Sequence, residues 1–408
     1  MTKQRQRPAP AAADPHGGLP VLPELAAHFA AAAADTAPEP SGGGPRLRAA
    51  ACGYWSRRGL WTHQDHVVAA PGAQPLLLAL LAAAGGDVLL SRPCAAWYAP
   101  LARLAGRPAY HAPAPAECGG VPDPFALLET VRRVRAEGGA PRVLVLSVAD
   151  DPTGTVAPPE LLHEVCEAAV GEGLLVVSDE TWRDTLHDPH DTVLVSPAEM
   201  LPEHVIVLAD LAGGHAPTGW PAAVARFPAT GRGMELRDRV LTTIGALRAD
   251  LPAPVAAAAA YALTEPDPAR ERARAAARAY GAVATAAHDA LTGVGVLCLP
   301  PHAGRHLYAD LSELREALGT RGITDSVELA DHLTRRLGWP VSGGDRFGDA
   351  PHTLCVRLTT PPLLGADDEE REQALQAGDP LELTRVADAL NRFAEVFREL
   401  ARPSGGIP

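Results

Sequence analysis

Between Val67 and about Pro228 short apolar runs alternate with longer segments of helical period. DHVVAA precedes PLLLALLAAA, DVLLSRP precedes AAWYAPLARL, RVLVLSV precedes PPELLHEVCEAAVGEG, and LLVVSDE and HVIVLAD follow. Strands apolar on both faces and separated by helices predict a mostly parallel sheet of βα units, whose functional residues gather at the carboxyl ends of the strands. Upstream, the spacing of Leu22, Leu25, Ala26 and Phe29 predicts one amphipathic helix between Leu19 and Ala34, followed by the loop APEPSGGGPR. From about Met234 the pattern is long and helical. It then becomes α+β, with strand-like HLYADL, a helix SVELADHLTRRLG, strand-like LCVRLTT and a closing helix LELTRVADALNRFAEVFREL. The predicted organisation is a flexible tail at 1–20, an N-terminal helix and arm at 21–60, a large α/β domain at 61–255, a long helix with a small α+β domain at 256–403, and a tail at 404–408. The acidic run GADDEEREQ reads as a solvated loop or helix start.

Composition narrows the function classes. With 408 residues and 47% apolar side chains the chain can bury a sizeable core, and a net charge of -13 argues against a basic nucleic-acid surface. The 6 cysteines lack a C-x-x-C spacing, which suits reduced thiols in a cytoplasm. Neither a signal peptide nor a membrane span is expected. The pairs His63/His66, His187/His190 and His302/His306 lack a near third ligand, so no metal is expected. Lys3 is the only lysine in the sequence.

Several strings mark possible chemistry. Gly72-Ala73-Gln74 lies between a strand and a helix, where free amides can hold an anion or simply close a tight turn. Asp179 ends an apolar strand, where a carboxylate must be paired or wet. Arg357 stands between Val356 and Leu358 in a strand and needs either a planar anionic partner or an internal ion pair.

Taken in order, GYWSRRGL, APGAQPLLLALL, GDVLLSRPCAAWY, DDPTGTVAPPEL, LLVVSDETW, VIVLADLAGGHAPTGWPAAVARFP, HLYADLSEL, GDRFG and CVRLTT make the chain resemble the class I/II aminotransferases, the fold type I pyridoxal-phosphate enzymes, from about Gly53 to Leu400. The resemblance implies a large domain with a mostly parallel sheet, a smaller α+β domain and a homodimer. By position it also implies roles. Gly72, Ala73 and Gln74 would hold the cofactor phosphate, and Asp179 would face the ring nitrogen. Asp151 would stand at the phenolic oxygen, Trp182 would stand at the cofactor where the family's Asp-Glu-x-Tyr string has its tyrosine, Tyr54 would reach the neighbouring subunit's phosphate, and Arg357 would take the substrate carboxylate.

The sequence also departs from the family pattern. Counting back six residues from Gly219, the cofactor lysine position is Gly213. The two phosphate-binding serines align with Asp210 and Ala212, the phosphate arginine with Pro221, and the ring-stacking aromatic with Ala95. Asp151 replaces an asparagine donor with a group that, ionised, only accepts. The stretch between Gly59 and Gly72 is short for the family, as though a helix were missing. These departures predict no covalent cofactor and disfavour noncovalent pyridoxal or pyridoxamine phosphate. They point to a pseudoenzyme whose cleft binds a carboxylate-bearing small molecule, or a partner, without transamination. The alternative is an enzyme with altered chemistry, using noncovalent pyridoxamine or pyridoxal phosphate or none, with His215 as base; an imidazole suits proton transfer near neutral pH. No nucleic-acid or membrane partner is expected.

Overall fold

The structure, a computed structural model, describes residues 18–402. Residues 1–17 of the expected N-terminal tail and the tail at 404–408 lie outside the described residues.

The first helix, α1, spans Pro23–Ala31 rather than Leu19–Ala34. Proline explains the late start: the residue before it is pushed out of the helical region, and Leu22 is extended at ψ 130. After α2 (Pro45–Ser56) the βα series begins with β1 (Val67–Ala70), α3 (Ala73–Ala84), β2 (Asp87–Arg92), α4 (Tyr98–Leu104), β3 (Ala109–Pro113) and α5 (Pro124–Ala136). It continues through β4 (Pro141–Ser147), α6 (Pro159–Gly171), β5 (Leu175–Asp179), the single turn α7 (Pro197–Met200), β6 (Val205–Asp210) and β7 (Ala223–Arg226).

The seven strands run in the order β1-β7-β6-β5-β4-β2-β3. Only β7 is antiparallel to its neighbours, so β4, β5 and β6 end at one edge. Both faces are covered. Val143 and Val145 join a core with α3, α4 and the later helix α8 (Gly231–Leu247), while Leu144 and Leu146 join a core with α2, α5, α6 and α9 (Ala253–Thr264). Alternation within an apolar run is what a doubly covered strand requires.

The 26-residue α10 (Asp267–Thr292) carries Val283, Ala287 and Leu291 into a separate core. That core lies around a second, antiparallel sheet of order β10-β11-β9-β8, formed by β8 (Leu297–Cys298), β9 (His306–Asp310), β10 (Ser342–Gly343) and β11 (Cys355–Thr359). The short α11 (Arg315–Gly319) with α12 (Ser326–Leu337), α13 (Asp368–Gln376) and α14 (Thr384–Ala401) completes it. The acidic run does start a helix: Asp367 caps α13 by accepting from the Glu370 amide. Among the described residues no helix is long and apolar enough to cross a membrane.

Candidate functional site

Three of the expected positions meet where the parallel strands end. Gly72, at φ 105, caps α3 in a backbone region that favours glycine. The Ala73 amide behind it is the kind of free donor that opens a helix. Asp210, the last residue of β6, takes that donor: its Oδ2 accepts from Ala73 at 2.7 Å and its Oδ1 from the Ala212 amide at 2.9 Å. Burial raises the Asp210 pKa, and these two hydrogen bonds oppose the rise. Gln74 is exposed.

Asp179 ends β5 and is 5% exposed. Its Oδ2 accepts from the Tyr98 hydroxyl at 2.7 Å and its Oδ1 from the Thr181 amide at 3.0 Å. Burial pushes its pKa up to about 6 against the hydrogen bonds. Thr181 joins the two carboxylates, since its hydroxyl accepts from the Asp210 amide.

Arg357 and Asp151 pair across the seam between the two sheets. Arg357 Nη1 donates to Oδ1 at 2.8 Å and Oδ2 at 3.1 Å, and the guanidinium carbon lies 5.0 Å from the Phe347 ring centre. Of the two outcomes open for this arginine the structure takes an internal ion pair, with Asp151 as the partner. Neighbouring Asp150 is buried, bonded to the Thr153 hydroxyl at 2.6 Å, and raised by burial to about 8. Trp182 packs edge-on to His306 at 5.7 Å, and the Arg305 guanidinium lies 5.1 Å from a Trp182 ring centre. Arg305 is 8% exposed and has no hydrogen bond or ion pair from its side chain among the described residues. Both Arg305 and Arg357 act on His306, whose pKa is lowered well below the ordinary value by burial first and their charges second.

The remaining candidates form a separate cluster. Tyr54 is 2% exposed and donates to Asp184 Oδ2 at 2.6 Å within the same chain. His215 Nε2 lies 3.0 Å from that oxygen, and Arg58 donates to Oδ1 at 2.8 Å. Burial opposes ionisation of Asp184, yet the His215 hydrogen bond and the Arg58 charge prevail and hold its carboxyl well below the usual range. His215 thus faces Asp184 rather than Asp179. Gly213 ends the short turn Leu211–Gly213 that follows β6.

Sequence reasoning missed Tyr98, Asp150, Asp184 and Arg305. Arg305 alone carried a signal, as a charge immediately before the strand HLYADL. Among the described residues no group of three or more His, Cys, Asp or Glu side chains could hold a metal ion.

Residues 23–377 match the family described as aminotransferase class I and II. A probable aspartate/prephenate aminotransferase of Thermus aquaticus is 31% identical over 221 residues, 53% of this chain and 55% of that protein. The match therefore spans about half the length of that relative. A valine--pyruvate aminotransferase of Mycobacterium tuberculosis is 26% identical over 77% of this chain and 76% of its own length. Among solved structures, the aspartate aminotransferase of Thermus thermophilus with maleate superposes with a TM-score of 0.75 at 24% identity, covering 93% of this chain and 90% of that one, a likeness of fold.

These matches correct the expectation of no covalent cofactor and a disfavoured noncovalent one: the relatives are aminotransferases, and a pyridoxal cofactor is what the family leads one to expect of this chain. As they stand its residues do not fit the phosphate of that group, because the Asp210 carboxylate already occupies the Ala73 amide at the head of α3.

Proposed function

The chain belongs to the class I and II aminotransferases, and from that premise we propose that its cleft takes a carboxylate-bearing small molecule without transaminating it. The observation that carries this reading is an imbalance of charge. Arg357 and Arg305 both lie close enough to depress His306, Arg357 is answered by Asp151, and Arg305 is buried against Trp182 with no carboxylate of its own among the described residues. The Arg305 Nε is buried without a hydrogen-bond partner among the described residues, and a planar carboxylate matches the guanidinium fork. Aspartate, which the Thermus relative's name gives as a substrate, carries two carboxylates.

The absence of transamination rests on the lysine count. Transamination needs an amine that shuttles a proton between substrate and cofactor carbons. Residues 4–408 contain no lysine, and glycine stands at 213. On this reading the chain works in the cytoplasm as a homodimer; all six cysteines are free. The test is an assay of the full chain with aspartate and 2-oxoglutarate, pyridoxal phosphate supplied. Product formation at the rate of a buffer control is expected; turnover that Asp179→Ala abolishes would overturn the reading.

A second reading keeps an enzyme of altered chemistry. It is favoured by His215, which Asp184 holds at 3.0 Å as an orienting carboxylate holds a base.

A further inference from the structure

Beside the Tyr54 cluster, between the segment Arg183–His190 and the first half of α10, lies a cavity of about 590 Å³, a size suited to a small-molecule ligand. Arg58, Arg183, Arg270, Arg274 and Arg278 line it, with His215 at its wall. So many guanidinium groups around one concavity stand out in a chain of net charge -13.

Three of the five are answered by protein carboxylates. Arg58 pairs with Asp184 and Glu265, Arg183 with Glu180 and Glu199, and Arg270 with Asp267. Arg274 and Arg278 have no ion pair or hydrogen bond from their side chains among the described residues. Asp188, the remaining acid of the wall, is turned to the amides of His190 and Asp191. Arg270, Arg274 and Arg278 recur every fourth residue, so they stack on one helix face, where like charges repel. Two uncompensated positive charges one helical turn apart match one doubly charged anion.

We propose that this cavity binds a small molecule bearing a phosphate monoester, its dianion gripped by Arg274 and Arg278 and its body lying against the cavity wall near His215. A phosphate offers three oxygens to two guanidinium forks, which a single carboxylate does not. The site is separate from Arg357 and does not depend on the carboxylate reading of that cleft.

The test is calorimetric titration of the full chain with phenyl phosphate and, separately, inorganic phosphate, against sodium chloride of matched ionic strength. The samples are the parent, the double variant Arg274→Gln/Arg278→Gln, and Arg357→Ala. Saturable binding of phenyl phosphate is expected, weakened about tenfold or more in the double variant and unchanged in Arg357→Ala. Both arginines are exposed, so the double variant is expected to keep the parent's unfolding midpoint. Absence of saturable binding at millimolar ligand, equal affinity in the double variant, or an equal heat from chloride would overturn the proposal.

Discussion

The Arg357 guanidinium reaches across the seam between the two sheets and donates to both oxygens of the Asp151 carboxylate, at 2.8 and 3.1 Å. Asp151 thus stands where a ligand carboxylate would stand, and a ligand has to displace it. Asp151→Ala is predicted to tighten succinate binding several-fold while lowering stability by about 1–3 kcal/mol, the range for stranding a hydrogen-bonded charged group. Paired titration and denaturant unfolding check both signs. Weaker binding in the variant would mean that Asp151 orients Arg357 rather than competing for it.

Arg305 offers a test through stability alone. Replacing a buried, unanswered guanidinium by an apolar chain of similar length removes a desolvation cost, so Arg305→Met is predicted to raise stability by about 1–3 kcal/mol without ligand. Its urea midpoint is expected above the parent's, with succinate stabilising it less than it stabilises the parent. A marked loss of stability would show that the guanidinium has a partner in the folded protein.

The pH dependence has a definite sign. Burial raises Asp150 to about 8 and Asp179 to about 6, so between the ordinary carboxylate pKa and these values the folded state binds protons that the unfolded state has released. Stability from these groups is complete at low pH and falls as pH rises toward 6 and then 8. Asp150→Asn is predicted to flatten the decline between about pH 5 and 8. Unfolding midpoints across that window check it; an unchanged slope would assign the titration elsewhere.

Asp184 behaves in the opposite direction. Held low, it contributes stability above the ordinary carboxylate pKa and loses it on acidification below that value. Asp184→Ala strands the Tyr54 hydroxyl and His215 and leaves Arg58 with Glu265 alone, and is predicted to cost about 2–3 kcal/mol. Tyr54→Phe, which removes one hydrogen bond, is predicted to cost about 1 kcal/mol. Equal losses would show that the Tyr54 hydroxyl carries the whole effect of the carboxylate.

The architecture was legible where burial is two-sided. VVAA, RVLVLSV, LLVVSD and HVIVLAD read as covered strands because both neighbours of each residue are apolar, and they are β1, β4, β5 and β6. The edge strand β3 was not read, for its Ala109, Tyr110 and His111 are half-buried and give no clear period. The alanine-rich β7, four residues long, was not read either. Of the site, Gly72, Asp179 and Arg357 could be placed at strand ends or in a strand, because local pattern fixes position along an element. Their partners could not. Asp151 lies 206 residues from Arg357, Tyr98 lies 81 from Asp179, and Asp184 lies 130 from Tyr54. Contacts that distant depend on how sheets and domains pack, which no local period encodes.

The central claim is that the cleft binds a carboxylate through its two arginines, Arg305 and the Asp151-paired Arg357. Calorimetric titration of the full chain with succinate, run beside Arg357→Ala matched for its unfolding midpoint, tests it most directly. Saturable binding to the parent that is lost in the variant is the predicted result; binding of equal strength to both, or none to the parent at millimolar succinate, would contradict it.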